Sequence, residues 1–279
     1  MPESPEVQAL AEFLSARAVG RRIAALDVVL PKIVKAGAPA EAAGGLIDAV
    51  ERRGKMLDIG VSSASGPAHL IVHWGHDGWL LWHDVVPEGT RRTGEATLLA
   101  RVRLDDGSGF DLTDDGPWKA LILSAVSDPS DVPAVAAIGP DPTAPGFTRE
   151  DVAAAVSGRR KQLKALVQDQ KAFAGIGNAY SDEILHAARL SPVVHASTLG
   201  AEEIDRLFDS ARTVLADAVT ARRGSRPEAL KDDKRADMRV HRRPGEACPV
   251  CGDTIAEMTF SGAAAHYCPT CQTGGARLA

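Results

Sequence analysis

Four cysteines crowd into one stretch near the end of this 279-residue sequence, "CPVCGDTIAEMTFSGAAAHYCPTC", as Cys248, Cys251, Cys268 and Cys271. Two C-x2-C pairs separated by sixteen residues offer four soft thiolates at the spacing of a tetrahedral zinc site, two tight knuckles joined by a β-hairpin. A tail of about 40 residues cannot bury enough apolar surface to fold alone, so the metal would supply the missing stability. Two disulfides are the competing reading. Nothing suggests export, and cytosolic thiols stay reduced, which favours zinc. Four protein ligands leave no open position, so the site is expected to be structural.

The other end, "MPESPEVQAL", raises a different question. Proline is tolerated in the first turn of a helix and acids there complement its dipole, so Ser4 could cap a helix that begins with Pro5 and Glu6. Val7, Leu10, Ala11 and Leu14 would form its apolar stripe, and Gly20 would end it. That reading leaves Pro2 and Glu3 unexplained.

A third candidate is "AFAGIGNAYSDEILHAA". Gly175 and Gly177 permit tight turns, and Asn178 stands just ahead of a helix beginning near Ala179 or Tyr180. The plain reading is an N-cap on a helix-helix turn. A glycine-lined helix N-terminus is also an anion site, and Lys164 and Lys171 are close in sequence.

The elements that must position these residues follow from pattern. Short apolar runs such as "RIAALDVVL" and "AHLIVHWGHDGWLLWHDV", several with period two and set off by Gly, Asp or Pro, predict a mostly β domain with a helix at its front. Residues 131–147 belong to a Pro-rich stretch that resists helix and strand alike and reads as a linker. From Thr148 onward the pattern is helical, with a long final helix in "GAEEIDRLFDSARTVLADAVTARR" and a loop-rich tail from about Met238. Length and an apolar fraction of 44% give room for two domains. No apolar run reaches the roughly 18 residues of a membrane span, so a soluble, cytoplasmic protein is expected. The net charge of −5 argues weakly against nucleic acid. Local runs argue the other way: Arg159, Arg160, Lys161, Lys164 and Lys171 face only Asp169 in "GRRKQLKALVQDQK". Such a run is as readily a solvated face.

In this order, "MPESPEV", "RRGKML", "LIVHWGHDGWL", "AAIGPDP", "KALVQDQKAFAGIGNAYSDEILHAARLSP" and "MRVHRRPGEACPVCG" make the sequence resemble the formamidopyrimidine-DNA glycosylase and endonuclease VIII family of base-excision repair enzymes. The resemblance implies an α+β fold: an N-terminal β-sandwich domain with flanking helices (2–130), the linker, a helical helix-two turns-helix domain (148–237) and a zinc-finger β-hairpin (238–279). It also gives Pro2 a chemical meaning. Methionine before proline is readily removed, which leaves a terminal secondary amine with a pKa near 8 or lower. That amine is a nucleophile for C1′ of a damaged nucleotide, and Glu3 is placed to move protons. Glu6 matches as well. Lys55 and His73 are implied to contact phosphate, Lys164 and Asn178 to hold the damaged strand, and Trp118 to wedge the duplex. Arg159 and Lys161 have no such match.

The resemblance further implies a monomer acting on double-stranded DNA with damaged bases or abasic sites, nucleoid-associated when bound, with structural Zn2+ and neither membrane nor organic cofactor. Three departures bear on substrate. The family's gap-filling Met and Arg fall at His76 and about Gly116, the zinc-finger arginine falls at Ala263, and only "SRPEALKDDKRAD" stands where the guanine-directed branch has a long Gly-rich loop. Oxidised pyrimidines or abasic sites are therefore expected over 8-oxoguanine. The rival readings are a damaged-DNA-binding protein of weak turnover and a zinc-ribbon adaptor for protein. Intact Pro2, Glu3 and Lys55 favour the enzyme.

Overall fold

The first helix is capped one residue earlier than the sequence suggests. In the computed structural model, which describes residues 1–63, 66–89 and 97–278, α1 runs Ser4–Ala18 with Glu3, not Ser4, as N-cap. The reason lies three residues on. A cap at Ser4 would place Val7 at the position that returns a bond, whereas a cap at Glu3 places Glu6 there. The Glu3 carboxylate accepts from the Glu6 amide, and Glu6 Oε2 accepts from the Glu3 N–H at 2.9 Å. Val7, Leu10 and Leu14 are buried as the stripe requires, and the helix stops before Gly20 at φ +83°.

Strands follow: β1 (Ile23–Val28), β2 (Val34–Ala36), β3 (Leu46–Arg53), β4 (Met56–Ser63), β5 (Gly66–His73), β6 (Gly78–His83), β7 (Thr97–Leu104), β8 (Gly109–Asp114) and β9 (Ile122–Val126). They form a five-stranded sheet, β2-β9-β5-β4-β3, and a four-stranded sheet, β1-β7-β8-β6. Ile23, Ile47, Leu57, Leu80, Leu99, Phe110 and Trp74 fill the core with α1, whose apolar face lies against β3 and β4. Full burial of a Leu or Phe stabilises by roughly 1.5–3 kcal/mol, which fixes the sheet positions that carry the site.

The Pro-rich stretch is not bare linker. A 3-10 turn at Pro129–Asp131, capped by the Asp128 carboxylate, leads into the short helix α2 (Pro133–Ala136). Proline at the head of a helix removes an N–H that has no intrahelical partner anyway, so it permits these turns instead of forbidding them. Next come α3 (Arg149–Val156), α4 (Leu163–Val167), α5 (Asn178–Ala187), α6 (Ala201–Arg222) and α7 (Leu230–Asp237), the last where the sequence reads as a plain connector. The tail forms the hairpin β10 (Ala256–Phe260) and β11 (Ala263–Tyr267), then α8 (Pro269–Thr273). Its two-residue turn uses Ser261 at φ +49° and Gly262 at φ +80°, the left-handed pair that matches strand twist.

The chain divides into two compact units, Met1–Ala137 with Arg222–Lys231, and Ile138–Ala221 with Asp232–Ala279. Residues 222–231 are held in the first unit by several contacts. Trp79 Nε1 donates to Pro227 O at 3.0 Å, Leu230 is buried in the sandwich core, and Lys231 Nζ lies 4.7 Å from the Trp79 ring centre. No helix among the described residues is long and apolar enough to cross a membrane.

Candidate active site and nucleic-acid interface

In the first unit Pro2, Glu3 and Glu6 are all buried, Glu6 completely, while Met1 is half exposed. The capping box fixes the Glu3 amide, and a planar peptide bond joins that amide to the Pro2 carbonyl. The orientation of Pro2 is therefore set by the head of α1.

Lys55 stands in the two-residue turn between β3 and β4, where Arg53 pairs with Met56. Gly54, at φ +59°, occupies the first turn position, which favours a residue lacking Cβ. Met56 also pairs with His73 at the end of β5, which brings the Lys55 turn and His73 to one end of the sheet. Burial, then the charge of Lys55, then His76 push the His73 imidazole below its ordinary 6.5. Its Nδ1 accepts from Gly75 N at 3.2 Å, so the neutral ring carries its proton on Nε2, as a donor suited to an anion. An NMR titration of His73 is expected to give a midpoint below 6.5, which Lys55→Met raises in part, since burial is the larger cause. A wild-type midpoint at or above 6.5 would contradict this placement.

Two loops meet at a tip. Gly75, at φ +60°, lies so close to the Ala120 backbone that a Cβ would come within 2.5 Å of its carbonyl. Asp114 organises the second loop through Gly116 N (2.8 Å) and Leu121 N (3.1 Å). His76 and Trp118 both project into solvent, Trp118 with 80% exposure, and Lys32 Nζ donates to the Trp118 carbonyl at 3.2 Å. At Gly116 a Cβ would strike the Asp77 carboxylate. An acid thus lies over the position where the resemblance expects arginine.

The second unit carries the glycine-lined turn. The sequence suggests Asn178 as the cap of this helix, but Gly177 is the N-cap and Asn178 is the first residue of α5. The Asn178 side chain instead bridges two neighbouring elements. Its Oδ1 accepts from Gln168 Nε2 at 3.2 Å, and its Nδ2 donates to Ala264 O at 2.9 Å in β11. Gln170 stitches the loop by donating to Gln168 O and Ile176 O and accepting from Gly175 N. Lys164 lies beneath this turn with 1% exposure, and its ammonium bonds Asn178 O (3.2 Å), Ser181 Oγ (2.7 Å) and Asp182 Oδ1 (2.5 Å). A buried carboxylate needs a cation, and Lys164 supplies it while supporting Asn178 from below.

Asp182 is the hub of that support. Burial alone would raise its pKa, but hydrogen bonds from His241 and His266 and the charge of Lys164 hold it below the ordinary carboxylate value. His241 Nδ1 and His266 Nδ1 stand 2.7 and 3.2 Å from Oδ2. Asp182, His241 and His266 are donor types that also suit a metal, but here Lys164 neutralises the carboxylate. Burial pushes Glu183 up although it accepts from three backbone amides, Arg239, Val240 and His241, which pins the start of the tail to α5.

The four cysteine sulfurs lie within 4.8 Å of one another, with Cys251 and Cys268 3.4 Å apart and Cys248 and Cys271 3.9 Å apart. Zinc–sulfur bonds of about 2.3 Å at tetrahedral angles require sulfurs about 3.8 Å apart. A disulfide requires about 2.05 Å. The set therefore fits structural Zn2+. His186, on α5, places Nε2 3.2 Å from Cys248 Sγ. Burial, with the charges of Arg239 and Arg189, pushes the pKa of this imidazole down to about 4, so the ring is a neutral donor that orients the thiolate. Sequence reasoning missed His186, Asp182, His241 and His266. Only the helical spacing of Asp182 and His186 on one face of α5 could have pointed to them.

A β-sandwich led by a buried proline, a helix-two turns-helix module and a thiolate hairpin together define a class of zinc-stabilised proteins built around nucleic acid. Comparison with known proteins is specific. Family models for the formamidopyrimidine-DNA glycosylase N-terminal domain, its H2TH domain and the zinc finger found in FPG and IleRS match residues 1–115, 138–228 and 245–274. The chain is 34% identical to the formamidopyrimidine-DNA glycosylase of Symbiobacterium thermophilum over 282 residues, 98% of this chain and 89% of that protein. Its fold superposes with a TM-score of 0.85 on Lactococcus lactis Fpg (MutM) bound to DNA containing N7-benzyl-Fapy-dG, at 26% identity, covering 98% of this chain and all of that one. The same score is reached with the Lactococcus lactis protein bound to abasic-site DNA, at 25% identity and 97% and 99% coverage. The chain belongs to the formamidopyrimidine-DNA glycosylase family.

Proposed function

We propose that the protein is a bifunctional DNA glycosylase and abasic-site lyase whose nucleophile is the amine of Pro2. The observation that carries this reading is the amino-terminal arrangement, with Pro2 and Glu3 buried ahead of α1 and the Glu3 amide held by Glu6. Once Met1 is removed, the Pro2 nitrogen attacks C1′ as the bond from C1′ to the base breaks, and the base leaves with the bonding pair and takes up the proton that the amine gives up. Glu3 donates a proton to O4′, the sugar opens, and the nitrogen lone pair closes a C1′=N⁺ iminium. A secondary amine gives an iminium with no N–H to lose, so it stays cationic and acidifies C2′. Loss of a C2′ proton expels the 3′ phosphate, and water hydrolyses the iminium to restore the amine.

The other residues serve binding. Lys55 and the neutral His73 donor face the phosphate beside the lesion, and Lys55 assists catalysis. Asn178, supported by Lys164, presents the α5 N-terminus to the damaged strand. The short 225–237 segment, whose Pro227 and Leu230 are held on Trp79 and in the core, supports oxidised pyrimidines or abasic sites as substrates in preference to a large covered purine. We place the activity on double-stranded DNA in the bacterial cytoplasm, with the protein a monomer.

Trp118 is the wedge. Stacking on an exposed aromatic contributes about 1–3 kcal/mol per base with little regard to identity, and Gly116 has no side chain to read the opposite base. Single-turnover excision is expected to vary only a few-fold among opposite A, C, G and T, and Trp118→Ala to slow all four alike. A preference of about a hundredfold for opposite C, about 2.7 kcal/mol, would need a good bidentate contact that Gly116 cannot make and would transfer the reading to another residue, His76 first. Gly116 and Ala263 favour the rival reading of a damaged-DNA binder without turnover. Tight binding of abasic DNA with no borohydride-trapped product would establish that reading instead.

A further inference from the structure

Beyond the residues the family resemblance assigns, we propose that Arg222 is a positioning residue for the amino-terminal nucleophile and acts through Glu6. The proposal rests on the reading of Pro2 as that nucleophile. Glu6 is fully buried and turns its two oxygens to different partners: Oε2 accepts from the Glu3 amide at 2.9 Å, and Oε1 lies 2.9 Å from Nε of Arg222. The guanidinium is itself 0% exposed. A buried carboxylate is tolerated when a well-placed cation compensates it, and a planar guanidinium also fixes its rotation. One hydrogen bond and one rigid peptide plane then separate the oriented carboxylate from the pyrrolidine ring.

Arg222 does not owe its place to Glu6 alone. The segment that follows it is anchored by Trp79 on Pro227 O, by Leu230 in the core and by Lys231 over the Trp79 ring. The cation therefore arrives on a held segment and can impose an orientation on Glu6. In sequence it sits in "ARRGSRPEALKDDKR", where neighbouring charges make it look solvated. Arg223, next to it, does remain largely exposed, 3.8 Å from Glu12.

The test is a double-mutant cycle of Arg222→Met, Glu6→Gln and the pair, with Arg222→Lys as the conservative variant. Three readouts are used: the rate of borohydride trapping on saturating abasic-site duplex, the Kd for a duplex carrying a tetrahydrofuran analogue, and hydrogen exchange at the Glu3 amide. Arg222→Met should slow trapping about tenfold or more while Kd moves less than about twofold, and Glu3 exchange should rise. Arg222→Lys should recover most of the rate. The double variant should be no slower than the slower single, because both act on one contact. It also leaves no lone buried charge, so it keeps the test alive if Arg222→Met alone fails to fold. Trapping at the wild-type rate in Arg222→Met or in the double variant, penalties that multiply, a loss confined to Kd, or unchanged Glu3 exchange would overturn the proposal. Failure of the wild type itself to trap would instead overturn the Pro2 reading, and the exchange measurement would still decide the role of Arg222.

Discussion

Pro2→Gly is expected to reduce borohydride trapping on abasic DNA by about a hundredfold or more with the fold intact, a barrier change of about 2.7 kcal/mol. Glycine keeps a terminal amine, but a primary one. Its adduct is an imine that is cationic only while protonated, whereas the proline adduct is cationic at every pH. The substitution also frees the backbone that α1 holds ahead of Glu3, at a cost to stability of about 0.4–1 kcal/mol. That is small beside the sandwich core, so the melting temperature should change little. Any residue left attached ahead of Pro2 should abolish trapping in the same way, because it converts the amine into an amide with no available lone pair. Undiminished trapping by the glycine variant would move the nucleophile elsewhere, with Lys55 the first suspect.

Cys268→Ser should release the zinc and unfold the tail while the first unit keeps its own core. The apolar packing around the four sulfurs is small, with Val240 and Ile255 against Cys248, Cys268 and Cys271. Structural zinc contributes about 10–16 kcal/mol to domains of this kind, far more than two aliphatic side chains can. Loss of the hairpin also takes Ala264 O from Asn178 and His266 from Asp182, so the α5 turn loses support and DNA affinity should fall about tenfold or more. Elemental analysis, limited proteolysis of the tail and a Kd for abasic DNA measure the three consequences. Freshly purified wild-type protein without zinc, or a serine variant with wild-type metal content and affinity, would contradict the assignment.

What the sequence made legible was chemistry carried by residue type at fixed spacing. The four cysteines are such a case, since two C-x2-C turns bring four sulfurs together almost whatever lies between them. The α1 stripe is another, because its 3.6-residue period survives any choice of cap. Ser4 reads as the cap because serine is a good one, but the reciprocal acid at Glu6 decides the matter in favour of Glu3. Tertiary partners were hidden. The resemblance implies that Lys164 holds the damaged strand, and only the fold reveals that it is buried against Asp182. Arg222 is obscured by its charged neighbours. Asp77 over Gly116 depends on two loops that meet across forty residues of chain. The linker misled because proline forbids the middle of a helix, whereas here it occupies the first turn.

The most direct measurement is mass mapping of the borohydride-reduced complex between the wild-type protein and abasic-site DNA. The expected result is a chain lacking Met1 with the reduced sugar on the nitrogen of Pro2, one adduct per chain. An adduct on Lys55, or on any other side chain of a protein whose amino terminus is unmodified, would contradict the mechanism.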